Sequence, residues 1–194
     1  MDPSLANDVF LHVRVVMGTI IGLGITRLLT GMAGLIQYPN HYKVSVLHLL
    51  WVLSIGIELT LFWWWEFSLS TQPTWNLGVF AFLIFYSATL FALAALLFPE
   101  QLFDDELYEE FFIRRRRWFF SIFALTFLFD LVDVIIRGEP YFSQQNVVYF
   151  IQIPFGLTLS ILAMWTARRD AHIVLVLLHL VYQTGSIIYY FNIT

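Results

Sequence analysis

The chain has no cysteine among its 194 residues. That single absence removes disulfides, thiolate nucleophiles, iron–sulfur ligation and every cysteine-based zinc site. Charge is also scarce. Asp, Glu, Lys and Arg make up 12% of the chain, and Lys43 is its one lysine. No basic stripe is present that would follow a phosphate backbone, so nucleic acid is not an expected partner. The N-terminal MDPSLANDVFLHVR has no early basic residue and no small-residue cleavage site. The first apolar span is therefore expected to be retained as a helix, not removed as a signal. There is no GxSxG, no HExxH and no phosphate-binding GK[ST] ending, so a catalytic metal and an enzymatic role are not expected.

What the chain has in abundance is apolar surface. Hydrophobic residues account for 59%, aromatic residues for 19%, and the mean hydropathy is +0.75. A soluble domain cannot hide that much, which points to a polytopic membrane protein, all-α and organised as one domain over residues 1–194. A crossing helix takes roughly 20 apolar residues. Six segments meet that length: Val9–Ile36, Val44–Leu69, Leu77–Phe98, Trp118–Arg137, Val147–Thr166 and Ala171–Phe191. Turn chemistry separates them, at Tyr38-Pro39-Asn40, Gln72-Pro73-Thr74, Gly138-Glu139-Pro140 and Arg168-Arg169-Asp170. Pro154 is expected to kink or loosen the fifth span.

Lys43, Arg114 to Arg117, Arg168 and Arg169 all fall in alternate loops, which predicts those loops to be cytoplasmic and both termini to face outward. The expected location is a bacterial inner membrane. In residues 99–117, Phe103, Leu107 and Phe111 share one helix face, with acids first and arginines last. This reads as a short amphipathic cytoplasmic helix between the third and fourth spans, either a topology anchor or a lipid or partner contact. Gly18, Gly22, Thr26, Thr30 and Gly34 form a ladder of small residues at spacing four and predict a close helix–helix seam, within the chain or with a second copy. Homo-oligomers and a larger membrane complex are both candidate assemblies, beside the lipid bilayer itself. Glu58 and Asp130 hold similar places in the second and fourth spans, a faint trace of a repeated hairpin.

With each span centred in the bilayer, Glu58, Asp130, Arg27 and His179 fall within about 6 Å of the midplane at 1.5 Å per residue. Arg14, Glu66, Asp133 and Arg137 fall nearer the outer surface. In that outer layer Asp133 and Arg137 are positioned to pair at i,i+4, and Arg14 and Glu66 can extend to the headgroups beside Trp63 to Trp65. At the midplane Arg27 can offset one carboxylate but not both Glu58 and Asp130. Arg14, Arg27 and Arg137 stand against Glu58, Glu66, Asp130 and Asp133, so one carboxylate is left over. A charge at a helix centre is disfavoured by about 2.5–3.5 kcal/mol, and protonating an ordinary glutamic acid at pH 7 costs about 3.7 kcal/mol. These penalties are close enough for the surplus acid to exchange its proton.

The expectation is a small channel or transporter for protons or ions, with its path lined by Glu58, Asp130, Arg27, His179 and Asp133. Glu58 would carry the proton, Arg27 would be its counter-ion and Asp130 would tune it, with Tyr86, Ser87, Thr89 and Gln152 available to extend the polar path. An inert ion-pair layer that sets helix register is the structural alternative. Two other functions fit the same composition. One is a non-catalytic subunit or scaffold of a membrane complex. The other is an electron carrier binding haem b through His48 and His172, which lie at matching depths.

Overall fold

The computed structural model of the chain describes residues 3–38, 44–65, 69–70, 75–99 and 107–191. Among them are six α-helices and no strand: α1 (Pro3–Gln37), α2 (Val46–Trp65), α3 (Leu77–Leu97), α4 (Tyr108–Arg137), α5 (Glu139–Trp165) and α6 (Arg169–Phe191). Among the described residues α1, α2, α3, α4 and α6 are long and apolar enough to cross a membrane. In α5 the stretch whose side chains the structure describes, Phe150–Trp165, is apolar and about 24 Å long at 1.5 Å per residue. The fold is that of a small multi-pass membrane protein.

Local chemistry explains the ends. Asn76 caps α3, its side chain accepting from the Val79 N–H at 3.0 Å. Gly138 sits at φ 82°, a conformation disfavoured for L-residues, and it lets α4 turn directly into α5. Pro140 then occupies the first turn of α5, where its missing N–H costs nothing. Further on, α5 continues through Pro154, which leaves the Phe150 carbonyl without its usual donor. The helical segment expected within residues 99–117 is present from Tyr108 onward, but as the first three turns of α4 and not as a separate helix. Phe103 lies outside the described residues.

Packing divides the bundle. α4 lies most extensively along α5, and α1 along α3; α2 is central, touching α1, α3, α4 and α6. The seam between α1 and α3 corrects the small-residue expectation as far as packing within the chain is concerned. Gly24 approaches Leu59 and the Phe91 backbone, and Gly31 faces the Phe98 ring. Gly22 and Gly34 face open space instead, and Thr26 and Thr30 are exposed. Spacing explains the difference: a period of four rotates about 40° per step and leaves the interface, whereas seven residues return to it after two turns. Gly18 is the one ladder member in a contact, lying under the Trp63 ring. Phe98 is itself wedged between His48 and Tyr108 and cannot yield. Gly31→Ala is therefore expected to lower stability by about 1–3 kcal/mol. Gly22→Ala should leave it unchanged, and thermal melting of the two variants in detergent checks the pair.

The basic residues gather at one end. Arg169 pairs with Glu109 at 2.8 Å, Glu109 also accepts from the Ser45 hydroxyl, and Arg116 lies close enough for its charge to reach His172. Lys43 lies outside the described residues. The opposite end holds Trp63, with Arg14 5.4 Å above its ring, and an Arg137–Asp133 pair at 2.7 Å.

Candidate functional site

α2 and α6 build the first half of the polar layer. Ser54 and Glu58 lie one turn apart on α2, and His179 and Gln183 one turn apart on α6, so each pair shares a helix face. The facing pairs interlock. Gln183 Nε2 donates to Glu58 Oε1 at 2.7 Å and to the Ser54 carbonyl at 3.2 Å, while the Ser54 hydroxyl donates to Gln183 Oε1 at 3.2 Å. His179 Nε2 stands 3.5 Å from Glu58 Oε1, which is charge-pair range. The alignment is not that of a hydrogen bond, and neither ring nitrogen has a hydrogen-bond partner among the described residues.

α3, α4 and α5 supply the second half. Asp130 on α4 accepts from the Tyr86 hydroxyl of α3 at one oxygen and from Gln152 Nε2 of α5, at 2.9 Å, at the other. Tyr182 of α6 closes the ring, its hydroxyl donating to Gln152 Oε1 at 3.4 Å. Glu58 and Asp130 are near enough for each carboxylate's charge to reach Tyr182, and Glu58's charge reaches Asp130. Five helices thus meet in one layer with two carboxylates, two amides, two phenols, a serine and a histidine.

Arg27 is not in this layer, which corrects the expectation that it offsets Glu58. Its Nε donates to the Phe98 carbonyl at 2.9 Å, and no ion pair joins it to Glu58 or Asp130 among the described residues. The reason is helix-end chemistry. α3 ends at Leu97 with unsatisfied carbonyls and the negative pole of its dipole, and a guanidinium satisfies both. His48 serves the same end, its Nε2 2.7 Å from the Leu97 carbonyl. Asp133 takes the i,i+4 partner expected, Arg137, on the side of Asp130 away from the basic end. Arg14 lies over Trp63, and Glu66 is outside the described residues.

Each of the two haem candidates has its own partners. His48 Nε2 meets Leu97 O, and its ring stacks on Tyr108 at 5.0 Å and 16°. His172 Nε2 meets Thr166 O at 3.0 Å, and its ring stacks on Phe120 at 5.6 Å and 25°. Each ring has Nε2 engaged and a face covered, which does not suit a porphyrin between them. No group of three or more His, Asp or Glu suited to a metal ion occurs among the described residues.

Three uncharged members of the layer, Ser54, Tyr182 and Gln183, were not singled out from the sequence, and Gln183 matters most because it holds Glu58. A signal for Gln183 was available: it lies one turn from His179, the same spacing that separates Ser54 from Glu58. Comparison with known proteins gives no family model, no curated protein and no solved structure that matches this chain.

Proposed function

We propose that the protein moves protons across its membrane through the layer centred on Glu58 and Asp130. One observation carries this reading. Two carboxylates share a layer inside the apolar spans, and their hydrogen-bond donors among the described residues are an amide, a phenol and a second amide, with no guanidinium. Ionisable groups at such positions by default mark ion and proton pathways. Neutral amides and phenols can hold either protonation state of a carboxyl by rotating, which a fixed arginine pair would prevent. In this scheme a small turn of the ring lets His179 Nε2 accept the proton of Glu58, leaving a carboxylate beside an imidazolium, and the imidazolium then releases a proton from Nδ1. Asp130, Gln152 and Tyr182 continue the layer toward the Asp133–Arg137 end.

The test is proton uptake by proteoliposomes carrying a pH-sensitive dye. Glu58→Gln is expected to lower flux by at least about tenfold. Arg27→Gln is expected to leave it at the wild-type level, because Arg27 ties down the end of α3. Equal flux from wild type and Glu58→Gln removes the mechanism.

A non-catalytic subunit of a larger membrane assembly is the second reading. It is supported by the outward face of α1, where Gly22 and Gly34 open onto nothing and Thr26 and Thr30 are exposed. Small residues on such a face let another helix approach closely in lipid. A stable copurifying membrane protein, together with liposomes that show no flux, would favour it.

A further inference from the structure

Toward the basic end the polar layer stops at a wall of rings. Trp51 of α2 is fully buried and stands steeply inclined to three phenylalanines of α4. Its centroid lies 5.4 Å from Phe119 at 70°, 5.1 Å from Phe120 at 76° and 5.6 Å from Phe123 at 80°. On the side of the polar layer, His179 stacks on Trp51 at 6.0 Å and 22° and meets Phe123 edge-on at 5.1 Å. On the other side, His172 stacks on Phe120 and meets Phe112 edge-on at 6.0 Å. His172 and His179 are seven residues apart on α6, two turns or about 10.5 Å along its axis. The rings of Trp51, Phe120 and Phe123 therefore lie between two imidazoles on one helix face.

Four nitrogens in this stack have no hydrogen-bond partner among the described residues: Trp51 Nε1, His172 Nδ1 and both ring nitrogens of His179. Orphaned buried nitrogens are costly, and leucine or phenylalanine at these positions would fill the space without that cost. Polar atoms thus sit within the apolar wall and in the imidazoles on both of its sides. Water satisfies such atoms only when the rings move, and a dry ring-lined constriction excludes it until then.

We propose that Trp51, with Phe120 and Phe123, is the closed gate between the Glu58 layer and the basic end, and that displacement of these rings joins His179 to His172. The inference rests on the proton-path reading for its purpose, but access across the wall is measurable without any flux. The chain has no native cysteine, so one introduced thiol reports alone. In oriented vesicles, Glu58→Cys is expected to resist a membrane-impermeant maleimide added at the basic face. Adding Trp51→Ala, or the milder Phe120→Leu should the first fail to fold, is expected to raise the labelling rate from that face on the order of tenfold or more. Rapid labelling with all the rings in place overturns the gate, as does unchanged labelling in a folded ring variant. If liposomes carry no Glu58-dependent flux while the labelling follows expectation, the proton path fails and the gate stands. Glu58-dependent flux with Glu58→Cys labelled freely from the basic face has the reverse meaning.

Discussion

Replacing Trp51 with alanine is expected to lower the stability of the bundle by about 3–5 kcal/mol, the range for deleting a large buried aromatic. The residue has no exposed surface and touches Phe112, Phe119, Phe120, Phe123 and His179 through ring contacts between 5.1 and 6.2 Å. Between helices in lipid, burial from water adds little, and association rests on dispersion and shape. A void left at Trp51 loses those contacts on every side at once, and the four phenylalanines all belong to α4, so apart from the His48–Tyr108 stack the ring contact between α2 and α4 rests on this one side chain. Edge-to-face ring pairs add about 0.5–1.5 kcal/mol each beyond their area. Trp51→Phe should cost about 1 kcal/mol, since it keeps most of the contacts and also removes an unpartnered Nε1. Thermal melting in mild detergent separates the three proteins. An alanine variant that melts with the wild type would show that the wall is not what joins α2 to α4.

Gln183→Leu is expected to cost about 1–3 kcal/mol, because it removes the amide donor of Glu58, a half-buried carboxylate, and both links to Ser54. Gln183 gives Glu58 its 2.7 Å hydrogen bond and also holds Ser54 through both the backbone carbonyl and the hydroxyl. His179 is near, but its 3.5 Å approach has the geometry of a charge pair and cannot replace the amide while the ring is neutral. With Glu58→Leu added, two apolar side chains face each other where an unsatisfied acid had faced one. The double variant should therefore be more stable than Gln183→Leu alone, with a coupling of at least about 1 kcal/mol. It should carry no proton flux despite that stability, which distinguishes a functional layer from a scaffold. Additive costs in the double-mutant cycle would mean that the amide and the acid do not depend on each other.

Particular residues show how far the chain could be read from its order alone. Glu58, Asp130 and His179 stood out because a charge or an imidazole in an apolar span has few explanations, and all three lie in the layer. Gln152 and Tyr86 were candidates by depth and belong to it too. Gln183 carries no charge and was hidden among ordinary packing residues. Arg27 was assigned by depth to the acids and instead caps α3. Depth along a helix gives one coordinate of three, and the side chain's rotation and its neighbours supply the others. α1 packs on α2 and α3, so a guanidinium on its inner face meets the end of α3 before any acid of α4.

Length and hydropathy by themselves determined that this is a helical membrane protein, because each span must satisfy its own backbone hydrogen bonds in lipid and is long enough to do so. The separation of arginines into a basic end and a sparsely charged end was legible for the same reason, since charge position along the chain maps directly onto height. Which faces meet was not. Helix pairing depends on a rotation of about 100° per residue. That rotation turned Gly22 and Gly34 away from the seam, brought Gly31 under Phe98, set Gln183 against Glu58 and stacked Trp51 between the imidazole of α6 and the rings of α4. Side-chain contacts between different helices, which no single span contains, decided the membership of the polar layer and the position of the wall that closes it.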